Sequence, residues 1–362
     1  MDNEPVTACS LGKTYMINSD TLESNYKNVL SNYQTWSQKD HASEWVLKSE
    51  NMSAHLGIDE TSIGNDVYTI LHNKNAHGRK GAIIAIARGV SPEEVLKTLL
   101  LIPEEDRLNV KDVTMDLSES MRSIVRSAFP NAIAIRDCFH VIMRGGEGVE
   151  EVRMRSKREA VKEQKKDKKE FGKKLKKLVL KRKYTREKMK KQGIKPRKGK
   201  KRGRKPMRLN TRFVPKRLEN GETKVEALTR CRTQLLKSRN KWNANQEKRA
   251  KILFLLYPKL EEAYDLIQSL RHVFQDKKLT KVKACSKLYE WYENVKACTS
   301  REIKSVKDTI KYYEDEILNY FLARQTNASA ESLNSKLKGF RSSLRGVKDV
   351  SFFMYRVMTV LG

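Results

Sequence analysis

Apolar residues recur along this chain with two different periods, and the change from one to the other divides it. From about Ala54 to Val141 the runs are short, β-branched and separated by polar or glycine-containing turns: AHLGID, DVYTILHN and GAIIAIAR. Such runs predict strands. Three in succession predict antiparallel neighbours. Ser91-Pro92-Glu93-Glu94 then supplies an N-cap, a proline at the first helical position and an acidic first turn, which opens a helix through EVLKTLLLI. The alternation continues as strand (VKDVTMD), helix (SESMRSIVRSAF) and strand (AIAIRD), a unit whose strands pair in parallel.

Between His140 and Thr326 the helical period takes over, in ALTRCRTQLLKS, QEKRAKILFLLY, LEEAYDLIQSLRHVF, ACSKLYEWYENVKAC and IKYYEDEILNYFLA, with Pro258 and QDKKLTK as breaks. An all-helical insertion is predicted there. Trp242, Trp291 and most tyrosines fall at helical spacing and are assigned to its core. Glu314, Asp315 and Glu316 form a tyrosine-flanked acidic cluster and read as a solvated turn of helix. A last helix is predicted in TNASAESLNSKLKGFR, where Leu333, Leu337 and Phe340 form an apolar face and Glu331, Asn334, Ser335 and Lys338 lie opposite or beside it. Before Ala54 the chain offers only a helical pattern near Leu22 to Trp36. The predicted organisation is a helical N-terminal segment (1–50), a core (51–141), a helical insertion (142–325) with a basic arm (151–210), and C-terminal core helices (326–362). Three antiparallel strands followed by helix, strand, helix, strand is the order of the ribonuclease H-like fold. The predicted class is therefore α/β, with a mixed five-stranded sheet and a Lys/Arg-rich helical insertion before the final helix.

Charge changes the picture by its location. The chain of 362 residues carries +31, but Glu151 to Asn210 holds 29 Lys or Arg against 6 Asp or Glu, a net of +23, leaving +8 elsewhere. Runs such as KKLKK and KGKKRGRKP cannot bury enough apolar surface to fold alone, so a solvated helix followed by a flexible basic loop is expected. A positive segment this dense binds polyanions by counterion release, which points to nucleic acid. A membrane surface is disfavoured because the segment lacks an aromatic and leucine face. Within it Arg202-Gly203-Arg204, flanked by Lys201 and Lys205, resembles the core of an AT-hook; phosphate contact is the expectation, ahead of minor-groove reading. The five cysteines are scattered with no CxxC pair, against a zinc ribbon or a disulfide framework and for a reducing, cytoplasmic setting. With 38% apolar residues, no signal-peptide pattern and no apolar run long enough to span a bilayer, the chain reads as soluble.

The chemistry of interest lies at two strand ends. Asp59 closes HLGID and Asp116 closes VTMD. In a ribonuclease H-like sheet these ends lie side by side, and two carboxylates there raise each other's pKa unless a shared divalent ion satisfies both. For either aspartate alone a strand-ending turn is the plainer reading. Both together, in a basic protein, favour a metal site, with Glu60 and Asp112 as the nearest wrong choices. Glu331, early in the last helix, is the candidate third carboxylate, although an exposed glutamate favoured by the helix dipole would look the same.

LGIDETSIGNDVYTILHNK, VTMDLSESM, FPNAIAIRDCFHV and TNASAESLNSKLKGFRSSLRGVKDVSFF resemble, in order, the blocks of the ISL-three family of bacterial insertion-sequence transposases, closest to its ISAon group. The resemblance covers most of the chain after about His55. It implies that Asp59, Asp116 and Glu331 are a catalytic and metal-binding DDE triad holding two Mg2+ ions, with Mn2+ a substitute. Asp137 and His140 match a DxxH element of similar transposases; their i, i+3 spacing suits a hydrogen-bonded pair on one helical side, with a satisfied structural histidine expected in preference to a metal ligand. Asn327, Asn334 and Lys338 are supporting candidates, and Lys201, Arg202, Arg204, Lys205 and Arg341 are candidate DNA contacts. Full-length family members carry an N-terminal zinc region and a helix-turn-helix, neither of which is seen here, so a separate end-recognition polypeptide is expected. The implied partners are double-stranded DNA, as transposon ends and target, and a second copy in the synaptic complex; the implied location is the bacterial nucleoid. A ribonuclease H-like nuclease or resolvase, and a non-catalytic DNA-binding descendant, remain alternatives.

Overall fold

A computed structural model of the chain describes residues 1–2, 6–193, 210–324, 327–343, 347 and 349–362. It divides into two compact units: Met1–Arg144, Arg271–Tyr292 and Lys307–Gly362 form the first, and Gly145–Leu270 with Glu293–Val306 the second. The stretch expected as one insertion therefore lends two segments to the first unit.

The first unit is built on a sheet of six strands: β1 (Trp45–Leu47), β2 (His55–Ile63), β3 (Asp66–Asn73), β4 (Ile83–Arg88), β5 (Asp112–Met115) and β6 (Ile133–Arg136), in the order β1-β4-β3-β2-β5-β6. β2, β3 and β4 form an antiparallel meander, while β5 pairs in parallel with β2 and β6 in parallel with β5. The order agrees with the expected mixed α/β arrangement and is compatible with a ribonuclease H-like fold. The strand count corrects the expected five. β1 is antiparallel to β4 at the sheet edge, and three residues are too few for alternation to reveal them.

The helices are α1 (Ala8–Tyr15), α2 (Ser19–Asn25), α3 (Pro92–Leu99), α4 (Glu104–Leu108), α5 (Glu119–Ala128), α6 (Cys138–Lys191), α7 (Lys224–Arg230) and α8 (Arg232–Leu235). They continue as α9 (Ala244–Leu256), α10 (Pro258–Gln275), α11 (Lys281–Ala297), α12 (Arg301–Tyr312), α13 (Glu314–Leu318), α14 (Tyr320–Ala323), α15 (Ala328–Ser343) and α16 (Val350–Leu361). The Ser91 side chain caps α3 by accepting the Glu94 N–H, as its sequence predicts. Ahead of β1 the helices start earlier than expected, and residues 31–44 are turns. No helix among the described residues is long and apolar enough to cross a membrane.

The sheet is covered on both faces. On one, Leu56, Ile58, Val113 and Met115 pack with Val95 and Leu99 of α3 and Met121, Ile124 and Val125 of α5. On the other, Ile63, Tyr68, Ile70, Ile83 and Ile86 pack with Leu333, Leu337 and Phe340 of α15 and Phe353, Met354 and Val357 of α16. The apolar face read from the sequence of α15 is the face that is buried, at 1–3% exposure.

In the second unit α6 is exposed over nearly all of its C-terminal third. The basic loop expected after it, with Lys201, Arg202, Arg204 and Lys205, lies outside the described residues. Glu222, 7% exposed, accepts from Arg249 Nε and Nη2 and Arg230 Nη1, each at 2.8 Å. The Arg249 fork, helped by Arg230, holds its carboxyl down to about 2 against the opposing effect of burial. A depressed folded pKa gives stability that is present above the ordinary value of 4.5 and lost as pH falls through about 2. Glu222→Gln is expected to lower stability at neutral pH by roughly 1–3 kcal/mol. In urea melts its deficit relative to the unsubstituted chain should shrink as pH drops below 4.5, and a deficit independent of pH would show that the charge is not the cause.

Candidate active site

The parallel register of β2 and β5 places His55 opposite Asp112, Leu56 opposite Val113 and Gly57 opposite Thr114. Extending it by two residues sets Asp59 beside Asp116, just past the end of β5. Residues two apart on a strand share a face, so the two carboxylates project on the same side. Both are half-buried. Burial first, and then the charge of Asp116, push the Asp59 carboxyl up to about 6.

Each carboxylate has its own support. Asp59 Oδ1 accepts the Glu60 backbone N–H at 2.8 Å, and Oδ2 accepts from Asn334 Nδ2 at 2.7 Å. His140 Nε2 lies 2.9 Å from Asp116 Oδ1, and this carboxylate is the main cause raising the pKa of His140. The expected Asp137–His140 pair is present as the longer of the two contacts. Asp137 sits just before the first residue of α6, and its Oδ2 is 4.0 Å from His140 Nε2. At 2% exposure its Oδ1 instead accepts the backbone N–H of Asn327 at 3.3 Å, tying the start of α15 to the start of α6.

The remaining candidates lie mostly on α15. Asn334, half-buried, touches Asp59, while Lys338 is exposed. Arg341 Nη1 donates to the Ser62 carbonyl at 2.8 Å, so a residue expected on DNA also anchors its helix to β2. Asn327 is 2% exposed, and its side-chain amide has no hydrogen-bond partner among the described residues. Glu331 is exposed, three residues before Asn334 and therefore on the same side of the helix. Among the described residues no group of three Asp, Glu, His or Cys is gathered closely enough to hold a metal ion. The structure thus brings Asp59 and Asp116 together, with Glu331 exposed on the helix that contacts Asp59. The two aspartates offer carboxylate oxygens, the donor type that suits a hard divalent cation.

The rejected carboxylates separate clearly. Glu60 is exposed. Asp112, at the opposite end of β5, is 6% exposed, bonded to His55 and 3.8 Å from Lys74 Nζ. The cluster expected as a solvated turn is corrected: Glu316 is 5% exposed and ion-paired to Arg122, Arg126 and Arg136. Its partners come from α5 and β6, about 180–195 residues earlier, a separation that helical spacing cannot reveal.

Three further residues shape the floor of the site. Burial lowers the pKa of Lys74 to about 8, and its Nζ donates to Thr114 Oγ1 at 2.7 Å. His72, brought down to about 3 by burial and the Lys74 charge, is neutral and has Nε2 3.0 Å from Ser329 Oγ of α15. Gly57 lies directly beneath both His72 and Asn327: a Cβ there would stand 2.7 Å from Asn327 Oδ1 and closer still to the His72 ring. A glycine inside an apolar strand is the one signal in the sequence that marks this close approach.

A family profile described as Transposase matches residues 56–357, well over half of the chain and all the elements that form the site. No curated protein and no solved structure matches.

Gly57→Ala is expected to destabilise the protein by roughly 1–3 kcal/mol, because both neighbours are hemmed in. It should also speed hydrogen exchange at the Asn327 amide as the start of α15 is pushed away. An unchanged melting temperature with unchanged exchange would mean that the space beneath α15 can yield.

Proposed function

Because the chain belongs to the ISL-three family of DDE transposases, we propose that it cuts the phosphodiester at the ends of an insertion sequence and joins the freed 3′ end to target DNA. The observation that carries this reading is the pairing of Asp59 with Asp116, two carboxylates from parallel strands; burial first, and then the charge of Asp116, raises the pKa of Asp59. The ordered sequence blocks also favour a reading nearest the ISAon group.

Two Mg2+ ions, or Mn2+ in their place, would when bound supply Lewis-acid polarisation of the phosphoryl oxygens and activation of the attacking oxygen. Asp59 and Asp116 would hold them, with Glu331 as the third carboxylate. The protein's own part is orientation. Asn334 fixes Asp59 and His140 lies against Asp116, so both carboxylates are held before DNA arrives. Water is the nucleophile in the first step, and the freed 3′-hydroxyl in the second. The reaction needs no covalent protein–DNA intermediate, and so no serine or tyrosine nucleophile is assigned.

DNA would be held by charge outside this site. The exposed basic part of α6, with Lys201, Arg202, Arg204 and Lys205 after it and Arg341 on α15, would neutralise phosphates. A second copy of the chain in the synaptic complex and a separate end-recognition polypeptide complete the proposed assembly, acting on nucleoid DNA.

Asp59→Ala, Asp116→Ala and Glu331→Ala are each expected to lower metal-dependent cleavage of terminal DNA by on the order of 10³-fold or more, with DNA affinity largely retained. Cleavage by any one of them at the unsubstituted rate would remove that residue from the triad. Joined product, in addition to cut DNA, separates a transposase from a nuclease or resolvase of the same fold.

A further inference from the structure

Asp116 is held from behind as well as at its carboxylate. Arg136, the last residue of β6, is fully buried. Its Nη1 donates to the backbone carbonyl of Asp116 and, at 3.0 Å, to that of Ser118, so one nitrogen clasps both sides of the turn that leaves β5. Its Nε donates to Glu316 Oε2 at 2.7 Å, and its guanidinium lies 4.1 Å from the centre of the Tyr313 ring. Glu316 Oε1 receives Arg122 Nε at 2.6 Å and Arg126 Nη2 at 3.3 Å, both from α5, the helix that follows the Asp116 turn. Nearby, Asn319 Nδ2 donates to the Ala134 carbonyl of β6 at 2.8 Å, pinning α13 along that strand.

Glu316 is the carboxylate that meets all three of these arginines. A fully buried guanidinium keeps its place only while a counter-charge and acceptors hold it, and since Arg136 Nη2 has no hydrogen-bond partner among the described residues, Glu316 and the carbonyls at Nη1 carry that burden. The carbonyls of Asp116 and Ser118 are two of those acceptors, so the position of the Asp116 backbone depends on the Glu316–Arg136 pair.

We infer that Glu316 and Arg136 are positioning residues, which fix the turn carrying Asp116 by joining β6 to α13, a helix near the end of the long helical stretch. The catalytic consequence rests on the function proposed above; the mechanical consequence does not. Binding of DNA by the basic residues proposed above is expected to be unchanged. What changes is the fraction of molecules in which Asp116 is placed for chemistry.

The test uses the full chain and three variants. Glu316→Gln keeps the shape and removes the charge; Arg136→Lys keeps the charge and removes the fork; Arg126→Ala removes an arginine, 62% exposed, that touches Glu316 but neither carbonyl. Hydrogen exchange is followed at Asp137, whose N–H bonds the Met115 carbonyl at 2.9 Å, and at Arg122, whose N–H bonds the Ser118 carbonyl at 3.2 Å. Both amides should exchange about 10-fold or more faster in Glu316→Gln and Arg136→Lys, while the β2 and β3 amides keep their protection and Arg126→Ala matches the unsubstituted chain. Cleavage should show about a 10- to 100-fold fall in kcat with little change in KM for DNA.

Unchanged exchange at Asp137 and Arg122 would overturn the inference. So would loss of protection across the whole sheet in both variants, which would assign the pair to global stability. If the unsubstituted chain cuts no terminal DNA, the proposed function fails, and the exchange rates still decide the positioning.

Discussion

The parallel pairing of β2 with β5 is the constraint on which the site depends. Asp59 and Asp116 are 57 residues apart in sequence, and neither has a local reason to meet the other. The Gly57–Thr114 register brings them together, and a slip of one residue would turn one carboxylate to the opposite face. The register is secured by apolar burial on one face of the sheet, where Leu56, Ile58, Val113 and Met115 pack under α3 and α5. Hydrophobic burial thus bears the cost of partly burying a carboxylate and setting a second beside it, a cost visible in the elevated pKa of Asp59, which burial raises first and the charge of Asp116 second.

Around that pair, polar side chains from distant segments act as clasps. Asn334 reaches Asp59 from α15, His140 reaches Asp116 from α6, and Asp137 receives the start of α15. Arg136 holds the backbone behind Asp116. Gly57 allows α15 to approach β2 closely enough for the first of these contacts. In a chain with 75 basic and 44 acidic residues, a buried carboxylate that gathers several arginines accommodates cations the core would otherwise exclude; Glu316 and Glu222 both do so.

Much of the sheet was legible because burial imposes short-range patterns. Apolar strands separated by turns marked β2 to β6, the Ser-Pro-Glu-Glu cap marked α3, and the i, i+4, i+7 face of Leu333, Leu337 and Phe340 marked the docking side of α15. β1 was missed because three residues carry no period. Glu316 was misread because its sequence neighbours are acidic or aromatic, while its partners are arginines from α5 and β6. Helical spacing suits His140 to Asp137, and the nearer carboxylate, Asp116, could not be read from it because Asp116 comes from the end of a strand, β5.

The sequence by itself determined the residue types, the order of elements and the concentration of positive charge in one segment, because each is a local property of composition and period. It also supplied the ordered blocks that resemble a transposase family, and the profile match over residues 56–357 agrees with them. Only the tertiary structure decided which polar groups meet: Asp59 with Asn334, Asp116 with His140, and Glu316 with three arginines. These contacts join residues far apart in the chain, and their geometry follows from how whole helices pack on the sheet. Glu331 shows the division. Its type and its helix were readable, and only the seating of α15 on β2 brought its side of the helix, through Asn334, against Asp59.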